Sequence, residues 1–136
     1  MEFWLPIIGE DASQLREIAA FAEELGFTGV AIADHVAVPL AYASKHPSGE
    51  SPFDHRANFP DPLTCIAAMA AVTTRLRFLT YVYVLPMREP FSVAKQAGTL
   101  ALLTNHRFTL GVGAGWLLDE IALLGHDPRT RWRRMD

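Results

Sequence analysis

The sequence predicts an α/β fold of parallel strands joined by helices, and three observations carry that expectation. Short apolar, β-favouring runs alternate with segments of helical periodicity along the whole of the 136 residues. The runs at Gly29 to Ala33 and Leu76 to Leu85 are apolar throughout rather than alternating, as in strands covered on both faces. Pro, Gly, Asn and Asp stand at the points where strands hand over to helices. Strands that alternate with helices run parallel and are joined by right-handed crossovers. Two architectures satisfy this pattern, a doubly wound sheet and a (β/α) barrel.

The elements follow in order. Glu2 to Ile8 is a first strand with an irregular end at Pro6. Asp11 stands three residues before Gln14 in the form of a capping box. Leu15, Ile18, Ala19, Ala22 and Leu25 then repeat at helical spacing until Gly26 supplies a stop. Gly29 to Ala33 is the second strand. Val36 to Pro60 is a long segment rich in Pro, Ser, Gly, His and Asn, of a length that accompanies function or disorder in compact domains. Asp61 and Pro62 restart regular structure as N-cap and first-turn proline. Leu63, Ile66, Ala67 and Ala70 are the buried stripe of this second helix, which is expected to end near Thr74. Leu76 to Leu85 is the strongest strand, ended by Pro86. Pro90 opens a third helix that turns Val93, Ala97, Leu100 and Ala101 inward. Asn105 and His106 form a turn, Arg107 to Val112 a fourth strand, and Gly113-Ala114-Gly115 a tight exit. Trp116 to Leu124 supplies one or two helical turns before Gly125.

Composition narrows the function classes. Twelve Lys and Arg against 15 Asp and Glu give a net charge of −3, with no basic footprint for nucleic acid or an anionic membrane. No apolar run approaches the roughly 20 residues of a membrane span, and no signal peptide is read at the start. The single Cys65 leaves neither an internal disulfide nor a cysteine-rich zinc site, so a reducing, cytoplasmic setting is expected. By length alone the expectation is one domain over residues 1–136.

In parallel α/β folds ligands collect beyond the C-terminal ends of the strands. That places Gly9-Glu10, Asp34-His35, Val84 to Arg88 and Gly113 to Trp116 at the ligand face. His35 has the chemistry to exchange a proton near neutral pH, with a neighbouring carboxylate to hold its charge state. The alternative is an Asp34 that caps a loop beside a backbone-bonded His35. The glycines from Gly111 to Gly115 do not make a dinucleotide fingerprint, because Trp116 falls where its third glycine belongs. They make a bend, or they let backbone approach a flat ligand. Thr80 to Val84 has the composition of sheet packing. His46, His55 and His106 lack metal-ligand spacing, and Arg129, Arg131, Arg133 and Arg134 read as a solvated or partner-facing run. From the residues alone the reaction stays open.

Several stretches together resemble the bacterial luciferase-like superfamily, and within it the deazaflavin (coenzyme F-420) dependent oxidoreductases. They are Ala33-Asp34-His35, Asp61-Pro62-Leu63, Ala70 to Thr73, Arg75 to Phe78, Val84 to Pro90 and Ala94-Lys95-Gln96 with Thr99-Leu100. Leu110 to Trp116, Glu120, Leu124-Gly125, Arg129 to Arg131 and Arg134 to Asp136 complete the series in the family's order. The resemblance implies a TIM-barrel fold with coenzyme F-420 or FMN across its C-terminal mouth and a small organic molecule as substrate. It implies catalytic roles for His35 and Asp34, with proton transfer at His35, and a cofactor contact from Asp34 near the redox ring. It implies cofactor contacts from Thr80, Tyr81 and Val82, often through a non-proline cis peptide, and from Gly113, Ala114 and Gly115. Trp116 stands where the sugar-phosphate dehydrogenase branch carries an acid, which disfavours that substrate class. Tyr81 stands where a small residue is common.

A complete barrel has eight βα units, typically about 250 residues, and this sequence holds four. A half-barrel is therefore expected, without the second-half residues that hold the cofactor phosphate in the family. Its open strand edges predict self-association, with two halves pairing. The competing function is a non-catalytic half-barrel that acts as an assembly or binding module.

Overall fold

The computed structural model describes residues 1–49 and 53–136. In chain order the elements are β1 (Trp4–Ile7), α1 (Leu15–Glu24), β2 (Gly29–Ile32), α2 (Pro62–Ala70), β3 (Arg77–Thr80), β4 (Tyr83–Val84), α3 (Pro90–Leu103), β5 (Phe108–Thr109), β6 (Val112–Gly113) and α4 (Leu118–Leu123). Strands β1, β2, β3 and β5 form one parallel sheet in that order, and β4 pairs with β6, also parallel. A doubly wound sheet reverses direction at its first strand. Here each crossover adds the next strand on the same side, so the sheet is an arc of a TIM barrel.

The register separates the two faces of the arc. Leu5, Val30, Phe78 and Phe108 align across the four strands. This row, with Ile7 and Ile32, packs beneath the helices against Leu15, Ala19, Ala22, Ile66, Met69, Val93 and Leu100. The alternate row of Pro6, Ala31, Leu79 and Thr109 faces the concave side. Pro6 and Thr109 are exposed there, and Leu79 is half-buried.

Two strands are interrupted where the sequence predicts continuous ones. The third breaks after Thr80 and resumes as β4, and the fourth breaks after Thr109 and resumes as β6. One contact explains both breaks. The Thr80 hydroxyl accepts from the Gly111 N–H and donates to the Gly111 carbonyl, each at 2.9 Å, so side chain replaces backbone at the ladder position. Gly111 lies so close that a Cβ there would overlap the Thr80 carbonyl. The Tyr81–Val82 peptide that follows is cis, as the family resemblance implies, and β4 resumes beyond it. A single 3-10 turn, Leu85–Met87, then replaces the predicted end of the strand.

The helix boundaries are mostly as predicted. The Asp61 carboxylate accepts from the Thr64 N–H at 2.8 Å, and Pro62 is in the first turn. Helix α2 ends at Ala70 rather than Thr74, because the chain beyond it is held from outside. Glu23 of α1 accepts from the N–H groups of Thr74, Arg75 and Leu76. Arg107 donates to the carbonyls of Ala70, Thr73, Leu76 and Thr104. Asp11 caps a 3-10 turn, Ala12–Gln14, ahead of α1: its carboxylate accepts from the Ser13 N–H and its backbone carbonyl from the Gln14 N–H. Among the described residues no helix is long and apolar enough to cross a membrane.

Candidate functional site

Asp34 and His35 leave the end of β2 in succession, yet their side chains serve different partners. The Asp34 carboxylate, 1% exposed, accepts from the Val84 N–H at 2.8 Å and from Arg88 Nη2 at 2.7 Å. Arg88 also lies over the Tyr83 ring, 4.5 Å from its centroid. Burial pushes the Asp34 carboxyl above its ordinary range, against the opposing pull of Arg88 and the Val84 N–H. Asp34 therefore ties the end of β2 to the end of β4.

His35 Nδ1 lies 2.6 Å from Glu120 Oε2. Glu120 is a residue of α4 and is 1% exposed. Its second oxygen, Oε1, accepts from the N–H groups of Val36 at 2.5 Å and Ala37 at 3.0 Å. The carboxylate against His35 is thus Glu120, not the adjacent Asp34. The physical reason is the alternation of side chains along extended backbone, which sends consecutive residues to opposite sides.

Aromatic rings enclose this pair. Phe53 and Phe59 each stand edge-on to His35 with centroids at 4.8 Å, and Trp116 does so at 5.9 Å. Trp116 also meets Tyr42 at 6.1 Å and His46 at 5.0 Å. All of these rings except Trp116, which precedes α4, come from the long loop after β2, and Ser44 of that loop bonds to the start of α4. The Ser44 hydroxyl accepts from the Leu118 N–H at 2.9 Å and donates to Asp119. Asp119 accepts in addition from the Ser44 N–H at 3.0 Å. These bonds, led by that of the Ser44 hydroxyl, hold the Asp119 carboxyl below its ordinary range.

The expected cofactor-contact residues meet at the same end of the sheet. Tyr81 is 62% exposed and Val82 39% exposed. Gly113 lies against Val82, where a Cβ would come within 2.5 Å of Val82 Cγ2. Ala114 is buried, and Gly115 turns the chain with φ of +79° toward Trp116. The Thr80 hydroxyl is engaged with Gly111, as described. Two residues that organise the site, Glu120 and Arg88, had no role assigned from the sequence. The signal for Glu120 was its phase: it lies three residues after Leu117 and four before Leu124, on the apolar side of its helix.

Residues 5–136 match the family model described as luciferase-like monooxygenase. The chain belongs to the luciferase-like monooxygenase family. Among its relatives, an uncharacterized protein of Mycobacterium tuberculosis is 39% identical over 122 residues, covering 88% of this chain and 42% of the relative. An F420-dependent glucose-6-phosphate dehydrogenase of Amycolatopsis mediterranei is 34% identical over 114 residues, covering 83% of this chain and 30% of the relative. In fold, the chain is similar to the oxygenating constituent of the 3,6-diketocamphane monooxygenase of Pseudomonas putida, solved in complex with FMN. The TM-score is 0.72 at 24% identity, over 93% of this chain and 33% of that one. This luciferase-like chain thus spans less than half the length of the relatives it matches.

Proposed function

We propose that this chain carries the proton-transfer half of a cytoplasmic oxidoreductase site, which uses coenzyme F-420 or FMN with a small organic substrate. The observation that carries the reading is the buried His35–Glu120 pair at the C-terminal end of the sheet, beside the Tyr81–Val82 bulge and the Gly113–Gly115 turn. The surface there fits a flat ring. Tyr81 and Val82 present exposed apolar surface, and Gly113 adds no side chain above it. Thr80, Tyr81, Val82, Gly113, Ala114 and Gly115 are the residues that would hold the ring. A bound deazaflavin or flavin supplies hydride chemistry that no side chain here can. His35 exchanges the accompanying proton with the substrate, Asp34 and Arg88 lock the strand ends in place, and the rings of Phe53, Phe59 and Trp116 keep water from the imidazole.

Fluorescence titration of the chain with coenzyme F-420 and with FMN tests this reading. Saturable binding of either is the expected result, and a folded chain that binds neither overturns it. A second reading, a half-barrel assembly module, is favoured by the free outer edges of β1 and β5. Each pairs on one side only among the described residues. Both edges run parallel, so the β5 edge of one copy continues into the β1 edge of a second, and two such junctions close eight strands. The occupant we propose for the open edges is a second copy of this chain.

A further inference from the structure

The Glu120 carboxylate has all of its described partners on the donor side. Oε1 faces the N–H groups of Val36 and Ala37, which can only donate, and Oε2 faces His35 Nδ1. Leu117 and Ile121, both 1% exposed, anchor this turn of α4 in the core beside the buried carboxylate. An ionised carboxylate only accepts, and the hydrogen of the 2.6 Å contact therefore belongs to Nδ1. A neutral imidazole with its hydrogen on Nδ1 has its lone pair on Nε2. That nitrogen has no hydrogen-bond partner among the described residues.

We infer that Glu120 is a positioning residue that holds His35 in the Nδ1–H tautomer and thereby makes Nε2 the proton acceptor. The inference rests on the reading of His35 as the proton-transfer group. When a substrate O–H is deprotonated, the O–H bond breaks, an Nε2–H bond forms, and the electron pair stays on the substrate oxygen. The imidazolium then carries a charge that Glu120 faces at 2.6 Å. In the opposite direction the same proton returns from Nε2. Asp34 takes no part in this, because both its oxygens are engaged by Val84 and Arg88.

Glu120→Gln gives a sharp test. The Val36 and Ala37 N–H groups still need an acceptor, so the amide oxygen takes the place of Oε1 and the NH2 group faces Nδ1. Nδ1 must then accept, and the imidazole hydrogen moves to Nε2. Two-bond proton–nitrogen correlation spectra of the cofactor-free full chain, at a pH where the histidines are neutral, read this directly. The His35 signals are identified by their loss in His35→Gln.

The expected result is Nδ1–H in the unmodified chain and Nε2–H in Glu120→Gln. The matching kinetic result is a roughly 10²–10⁴-fold fall in kcat with little change in KM, as expected for a wrong tautomer. A neutral His35 with its hydrogen on Nε2 in the unmodified chain overturns the inference, and so does a tautomer unaltered by the substitution. If Glu120→Gln does not fold, the spectrum of the unmodified chain decides alone. Failure of the cofactor titration overturns the proposed function, whereas an Nδ1–H tautomer in the same chain still supports the pairing.

Discussion

At the scale of single residues, the site depends on how two adjacent side chains diverge. Asp34 turns inward to Val84 and Arg88, and His35 turns toward Glu120. Replacing either should therefore give a different failure. His35→Gln is expected to lower turnover by about 10²–10⁴-fold, the usual worth of a positioned proton donor or acceptor, with cofactor affinity little changed. Steady-state kinetics beside a binding titration check that split. Asp34→Asn leaves Arg88 without its counter-charge, and the amide can offer an acceptor to only one of the two donors. It should cost about 2–4 kcal/mol of stability in denaturant unfolding, because one member of a buried pair is left uncompensated. Sequence reading found both residues, since a strand end in a parallel α/β fold is where ligands collect. It did not find their partners, because Glu120 and Arg88 lie 85 and 54 residues away along the chain.

At the scale of elements, the junctions are held by side chains that cap backbone from a neighbouring element. Glu23 of α1 caps the chain between α2 and β3. Burial raises its carboxyl, but the N–H groups of Thr74, Arg75 and Leu76 outweigh this and bring it down to about 2 from the usual 4.5. A depressed folded-state value means stabilisation that is fully present above pH 4.5 and lost as the pH falls through about 2. Glu23→Gln should cost about 1–3 kcal/mol at neutral pH, the worth of hydrogen bonds to a charged acceptor. The gap between variant and unmodified chain should close between pH 4.5 and 2 in a pH series of thermal melts. At the strand breaks, Gly113→Val should abolish the close approach to Val82, where even a Cβ comes within 2.5 Å. The expected outcome is lost flavin or deazaflavin binding in the fluorescence titration. The breaks inside the third and fourth strands were not foreseen because apolar composition cannot report a threonine hydroxyl that substitutes for a ladder bond.

At the scale of the whole molecule, four βα units make an arc with a helix-covered convex side and an open concave side. Among the described residues the outer edges of β1 and β5 pair with no further strand, and such edges template association. Light scattering at micromolar concentration should therefore give a mass of at least twice the chain's 15.1 kDa. A monodisperse monomer would count against pairing of two copies. The salt-insensitivity expected of backbone pairing separates it from association through the arginines near the C-terminus, which salt would weaken.

The sequence by itself determined the class of fold, the order of its elements, the helix starts at Asp61-Pro62 and at Pro90, and the end of the sheet where chemistry belongs. Those are local properties: periodicity, capping residues and the direction of parallel strands are written within a few residues of one another. Strand order is a relation between elements and leaves no trace in either, so periodicity left the doubly wound sheet and the barrel open; the family resemblance implied the barrel, and the order β1-β2-β3-β5 bears it out. The tertiary structure alone assigned Glu120 rather than Asp34 to His35, and brought Phe53, Phe59 and Trp116 around the imidazole. Side-chain pairing across 85 residues depends on how a helix is rotated against a strand end, and that rotation is set by the packed core as a whole.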